Sequence, residues 1–175
     1  MLGYFKALVA GISVLLVLFL AVGFFVPSEW AAERSVTVDA PPEAIWPWLA
    51  DLRQWDAWAP LGEVEATYPE GTRGVGARRV WDDAAWGSGE VTVTAVEEGR
   101  TLSYEVLVEG GLRTRGLLRL DVTARGTRVT WREEGDLGWN PLLTWFAAGM
   151  DTRQGAQLER GLRRLKQEIE QPAAR

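Results

Sequence analysis

Two of the side chains that most often carry enzyme chemistry are missing from this chain, which has no histidine and no cysteine. Thiolate nucleophiles, disulfides, Cys/His zinc sites, Ser-His-Asp triads and imidazole acid–base catalysis are therefore excluded. Carboxylates, tyrosines and arginines remain. The adjacent acids Asp82-Asp83, Glu97-Glu98 and Glu133-Glu134 fall at turns or strand ends. A carboxylate needs burial or a like-charged neighbour to raise its pKa before it can do acid–base work, and a solvated turn offers neither. Two charges stand apart. Alternation places Glu133 on the face of Val129 and Trp131, and Arg79 on the face of Val75, Ala77 and Trp81. A charge on an apolar strand face must be paired, hydrated in a cavity or set at the sheet's rim. The rim is the leading expectation for both.

Other patterns carry less chemistry. Gly74-Val75-Gly76 is followed by Arg79 where a dinucleotide fingerprint needs its third glycine, and no Gly-Lys-Ser/Thr phosphate loop occurs. Gly87-Ser88-Gly89 has neither the spacing of a nucleophile elbow nor a base for its serine, so it reads as a turn entering a strand. Arg113, Arg115 and Arg119 share one strand face, with Arg128 and Arg132 nearby. A solvated face partnered by Glu105 and Glu109 is preferred there to a lipid-headgroup contact. Ten tryptophans are the main compositional oddity. Singly each is core packing, but together such rings, each with one polar N–H, suit the lining of a pocket for a large apolar ligand.

The elements that must position these residues follow from periodicity. The 175 residues are 47% hydrophobic and 25% charged, a folded composition of single-domain length, and the net charge of −5 argues against a nucleic-acid partner. Ala7–Ser28 is uncharged. About 20 apolar residues cross a hydrocarbon core of about 30 Å, so residues 1–28 are expected to form a transmembrane anchor and 29–175 the domain. A cleaved signal peptide is the competing reading, through Ala21-Val22-Gly23, but cutting there would leave Phe24-Phe25-Val26 exposed. Lys6 before the span favours an N-terminus inside and a domain outside the cytoplasm, and Trp30 fits an interfacial position. Arg34–Val38 alternates as a first strand. Pro42 and Glu43 suit the first turn of a helix running to about Asp51, which Pro47 should kink. A second helical stretch holds Trp55 and Trp58.

Six strand-like runs come next: Val64–Tyr68, Val75–Trp81, Gly89–Val96, Thr101–Val108, Leu112–Val122 and Thr127–Glu134. The links between them, Gly110-Gly111 above all, are too short for parallel crossovers, so the sheet is expected to be antiparallel. After Asn140-Pro141 one long helix is expected to about Gln171. Its apolar stripe is Leu143, Phe146, Met150, Leu158, Leu162, Leu165 and Ile169, and its glycines 149, 155 and 161 would leave room against the sheet.

This order of elements, with Asp39-Ala40-Pro41-Pro42-Glu43-Ala44-Ile45, Trp55-Asp56-Ala57-Trp58-Ala59-Pro60, Gly87-Ser88-Gly89 and Glu134-Gly135-Asp136-Leu137-Gly138-Trp139-Asn140-Pro141, resembles the START-like, SRPBCC superfamily. The closest type is the polyketide cyclase/dehydrase and lipid-transport group. The resemblance covers about residues 33–170. It implies an α+β helix-grip fold in which a seven-stranded antiparallel sheet wraps a long C-terminal helix, here preceded by one transmembrane helix. Pro47 and Glu133 depart from the group's apolar pattern.

The expected function is a membrane-tethered binding domain for a lipid or other hydrophobic small molecule. The residues expected to line its cavity are Trp81, Tyr104, Val106, Leu118, Trp131, Glu133, Phe146, Met150 and Leu158, with no metal, cofactor or nucleic acid. A cofactor-free cyclase/dehydratase-type enzyme, with a cavity carboxylate or Tyr104 moving a proton, is the alternative. A structural domain with a filled core is a third reading. A buried Glu133 beside an opening would favour the enzyme.

Overall fold

The computed structural model describes residues 2–60, 64–85, 87–138, 140–147 and 149–171. The apolar segment forms helix α1 (Leu2–Gly23), and its stretch Gly3–Gly23 is long and apolar enough to cross a membrane. Strand β1 (Glu29–Val38) starts earlier than alternation alone suggests, because all ten of its residues find partners on the last strand, from Glu29 opposite Asp136 to Val38 opposite Thr127. Helix α2 (Pro42–Ala50) begins with Pro42 in its first turn, where the missing N–H costs nothing, and carries exposed Pro47 in its interior without ending there. It buries Ile45, Trp46 and Leu49. Helix α3 (Trp55–Trp58) buries both of its tryptophans.

The sheet continues through β2 (Ala66–Thr67), β3 (Arg78–Asp83), β4 (Gly87–Glu97), β5 (Thr101–Val108), β6 (Arg113–Thr123) and β7 (Gly126–Asp136). Its order is β1-β7-β6-β5-β4-β3-β2, and every neighbouring pair is antiparallel. The run expected over Val75–Trp81 starts only at Arg78, because Gly74 and Gly76 take φ of +82° and +88° and turn the chain just ahead of the strand.

One expected helix is two. The chain forms α4 (Pro141–Ala147) and then α5 (Met150–Glu170), with Gly149 at the N-cap of α5. Helix α5 packs on one face of the sheet, chiefly against β1 and also against β7. Its Lys166 Nζ donates to the Thr37 carbonyl at 2.7 Å, and its Glu170 accepts from the Asp39 N–H at 2.7 Å. At Gly161 an added Cβ would come 2.7 Å from the Trp131 ring, so the glycine sets how closely α5 approaches β7. The core between helix and sheet is filled by Val38, Leu102, Leu118, Val129, Leu158, Leu162 and Leu165.

Candidate functional site

Toward the N-terminal turns of α5 this packing opens into a cavity of about 190 Å³. Its floor is Tyr104, Val106 and Val108 of β5, Thr114 of β6, and Trp131 and Glu133 of β7. Trp55, Arg79 and Val91 form one flank, and Gln154, Gln157 and Leu158 of α5 close the top.

The polar centre of the cavity is a row across three strands. Tyr104 pairs with Gly116, and Gly116 pairs with Glu133. A Cβ at position 116 would lie 1.9 Å from Cζ of the Tyr104 ring. Only glycine lets that ring lie across β6 and bring its hydroxyl to the carboxylate. The Tyr104 hydroxyl donates to Glu133 Oε1, Gln154 Nε2 donates to Glu133 Oε2, and Trp131 Nε1 donates to the Tyr104 oxygen at 2.6 Å. Trp55 holds the Tyr104 ring edge-on, with centroids 5.0 Å apart, and Trp58 does the same for Trp131 at 5.2 Å.

Burial dominates the electrostatics. Glu133 is only 5% exposed. Loss of water raises its pKa above the ordinary glutamate value, while the bonds from Tyr104 and Gln154 pull it partly back. Tyr104 is raised well above the ordinary phenol value, first by burial and then by the Glu133 charge and hydrogen bond. Neither Glu133 nor Arg79 sits at the rim, contrary to expectation. Arg79 is 2% exposed; its Nε donates to Asp56 at 3.1 Å and its Nη2 to the Val64 carbonyl at 2.8 Å, with the guanidinium 5.8 Å from the Trp81 ring centroid. Both charges are buried because each has partners that only the folded chain assembles.

Of the residues expected around the cavity, Tyr104, Val106, Trp131, Glu133 and Leu158 line it. The other four do not. Trp81 is buried with its ring against Gly89, and Leu118 is fully buried in the core. Met150 is half-buried at the start of α5. Phe146 is 54% exposed on α4, because the break at Gly149 resets the helical phase that placed it on the Leu158 stripe. The interfacial place expected of Trp30 is also corrected: that ring is buried against Gly135, and Trp145 instead stacks on Phe19 of α1 at 4.9 Å. Trp86 and Trp139 lie outside the described residues.

The site also takes in Gly116, Gln154, Gln157 and Trp55, which are not among the residues expected there. A lone glycine inside an alternating strand is a usable signal of close backbone or ring approach. Nothing comparable marks the glutamines on the polar side of a helix pattern.

A larger groove of about 620 Å³ lies on the outer face of the sheet, among Arg113, Arg115, Arg132, Glu29, Glu134 and Asp136. Arg113 bonds Glu105 at 3.0 Å, and Arg132 bonds Glu134 at 3.1 Å. Its charges neutralise one another in water, as a solvated face does. Among the described residues no acidic cluster is arranged to hold a metal ion.

A seven-stranded antiparallel sheet packed on a long C-terminal helix, with a cavity between them, defines a helix-grip domain of the SRPBCC type. Within that class the chain belongs to the family described as polyketide cyclase / dehydrase and lipid transport, whose profile matches residues 29–170. No curated protein matches. Solved structures with the same fold include MLL2253 from Mesorhizobium loti, 19% identical with a TM-score of 0.62, covering 81% of this chain and 98% of that one. BH1534 from Bacillus halodurans is 17% identical with a TM-score of 0.60, over 79% and 96% of the two chains. DynU16, a protein of the dynemicin biosynthetic locus, is 18% identical with a TM-score of 0.61 over 81% of this chain, which spans about half (47%) of the DynU16 chain.

Proposed function

We propose that this protein is a membrane-tethered receptor or carrier for a small hydrophobic molecule bearing one hydrogen-bonding group, with residues 1–28 as anchor and 29–175 as the binding domain. The observation that carries this reading is the cavity. Its walls are mostly aromatic and aliphatic, and the Tyr104–Glu133–Gln154 cluster sets a hydrogen-bonded polar group among them, with Arg79 on the flank. Size narrows the ligand. An apolar cavity of about 150 Å³ admits benzene, so about 190 Å³ takes a ring-sized group or the end of an acyl chain. A whole lipid would require α5 to move. The uncharged Ala7–Ser28 segment supports the tether, and Lys6 ahead of it supports a domain on the extracytoplasmic side.

The test is titration of the detergent-solubilised full chain with a fluorescent fatty-acid-like probe, beside native mass spectrometry for co-purifying lipid. Burying one aromatic side chain contributes about 1.5–3 kcal/mol, which is about one to two decades of affinity. Trp131→Ala should weaken probe binding by that much, and Ser88→Ala, at the start of β4 and outside the cavity lining, should leave it unchanged. Absence of saturable binding by the wild-type chain overturns the reading.

One observation favours a second reading, a cofactor-free enzyme of the cyclase/dehydratase kind. Glu133 is a buried carboxyl of raised pKa facing the cavity, the environment in which a carboxyl can exchange a proton with substrate near neutral pH. Under this reading Glu133→Gln retains binding and abolishes turnover.

A further inference from the structure

Helix α4 is polar on the wrong side for a soluble protein. Its residues facing the protein are Thr144 and Ala147, whereas Leu142, Trp145 and Phe146 face outward. The three and four residue spacings put those side chains on one face. Helix α4 also runs back alongside the end of α1. The Thr144 hydroxyl donates to the Gly23 carbonyl at 2.8 Å, and the next residue, Trp145, stacks on Phe19, one turn back along α1, with the rings 10° from parallel. Phe19 lies four residues inside the end of α1, about 6 Å down its axis. The stretch Gly3–Gly23 is 21 residues long, about 31 Å at 1.5 Å per residue, against a hydrocarbon core of about 30 Å. With no length to spare, the Phe19 turn lies at the edge of that core. Exposed Phe24 and Phe25 in the link to β1 extend the same apolar surface.

The cavity is built at this same end of the domain. Thr114 of its floor is level with Gly135 and hence with Trp30, the second residue of β1 after the α1 link. Its cover begins at Gln154, in the second turn of the helix that follows α4.

We propose that α4 is an interfacial membrane helix, with Leu142, Trp145 and Phe146 seated in the leaflet that the C-terminal end of α1 reaches. This holds the cavity against the bilayer, so a hydrophobic ligand passes between lipid and cavity without crossing bulk water. The inference rests on the anchoring of residues 1–28 proposed above.

The absence of cysteine makes the test direct. The full chain is made as Leu16→Cys, Phe146→Cys and Val122→Cys, three exposed positions on α1, on α4 and on β6 near its far end. Each is spin-labelled and reconstituted in vesicles of phosphatidylethanolamine and phosphatidylglycerol, and its accessibility to oxygen and to a water-soluble nickel chelate is measured. The label at position 146 should match that at position 16, open to oxygen and shielded from nickel, while the label at position 122 shows the reverse. A position-146 label as open to nickel as position 122, with position 16 still shielded, overturns the docking of α4 and leaves the anchor standing. Shielding of position 146 from both reagents overturns it in favour of a protein partner. Nickel access at position 16 overturns the anchor reading and this inference with it.

Discussion

At the scale of single residues, the Tyr104–Glu133 pair ties stability to pH. Burial raises the Glu133 pKa, so the folded chain holds that proton more tightly than the unfolded chain does. Stability from this group is complete below the ordinary value of 4.5 and is lost as pH rises through the folded value. Asp51 acts in the opposite sense. Burial alone would raise its pKa, but hydrogen bonds from the Arg53 N–H and from Arg73 outweigh that and lower it. The pairwise difference isolates Glu133. Urea unfolding of wild type and Glu133→Gln from about pH 4 to pH 8 should show the variant gaining on wild type as pH rises. A Gln154 amide turned by half a revolution can accept from the new amide, so the site stays paired. Gly116→Ala works on the same row by sterics. Its Cβ would occupy the Tyr104 ring position, so Glu133 Oε1 and Trp131 Nε1 both lose their bond to the hydroxyl, at about 1–3 kcal/mol for each buried group. The expected outcome is loss of probe binding with a lowered urea midpoint.

At the scale of elements, α2 carries a correctable flaw. Pro47 gives no N–H to the Glu43 carbonyl and crowds it, a penalty of about 3 kcal/mol in a helix interior. The ring is exposed and the helix continues past it. Pro47→Ala should therefore stabilise the domain by about 2 kcal/mol, after about 0.4–1 kcal/mol is returned to the unfolded chain's entropy. Equilibrium denaturation measures this directly, and an unchanged or lower midpoint would show that the proline fits its site without strain. The helix pair α4 and α5 shows why element boundaries matter for a site. Alternation and 3.6-residue periodicity give each strand and each helix its buried face. Because α4 ends at Ala147 and α5 starts afresh at Met150, the two helices do not share one stripe, and Phe146 is exposed on α4 rather than set in the expected cavity wall.

At the scale of the whole molecule, the open question about α1 is whether it is retained, and fractionation decides it. If it is an uncleaved anchor, the full chain pellets with membranes and stays there through carbonate extraction at high pH. Recovery of a soluble chain beginning near Phe24 or Glu33 would show instead that the segment is a signal peptide. Helix α1 and the cavity lie at the same end of the sheet, because all ten residues of β1 pair with β7. A ligand domain swung out on a flexible stalk would need a linker, but only residues 24–28 separate α1 from β1.

The sequence by itself determined the apolar segment, the antiparallel order of strands and the inward face of most of them. Val91, Val93, Leu118, Leu120, Val129 and Trp131 are all buried as their alternation requires. These are local properties, set by side-chain period and by turns too short to do anything else. Only the tertiary structure decided that Glu133 and Arg79 are interior rather than marginal. Their partners Tyr104, Gln154, Asp56 and Val64 come from other elements, 15 to 29 positions away in sequence. It also decided that α4 leaves the core for the side of α1. A period records which residues share a face. It does not record what that face meets, because burial is a property of the contact between two elements and belongs to neither one alone.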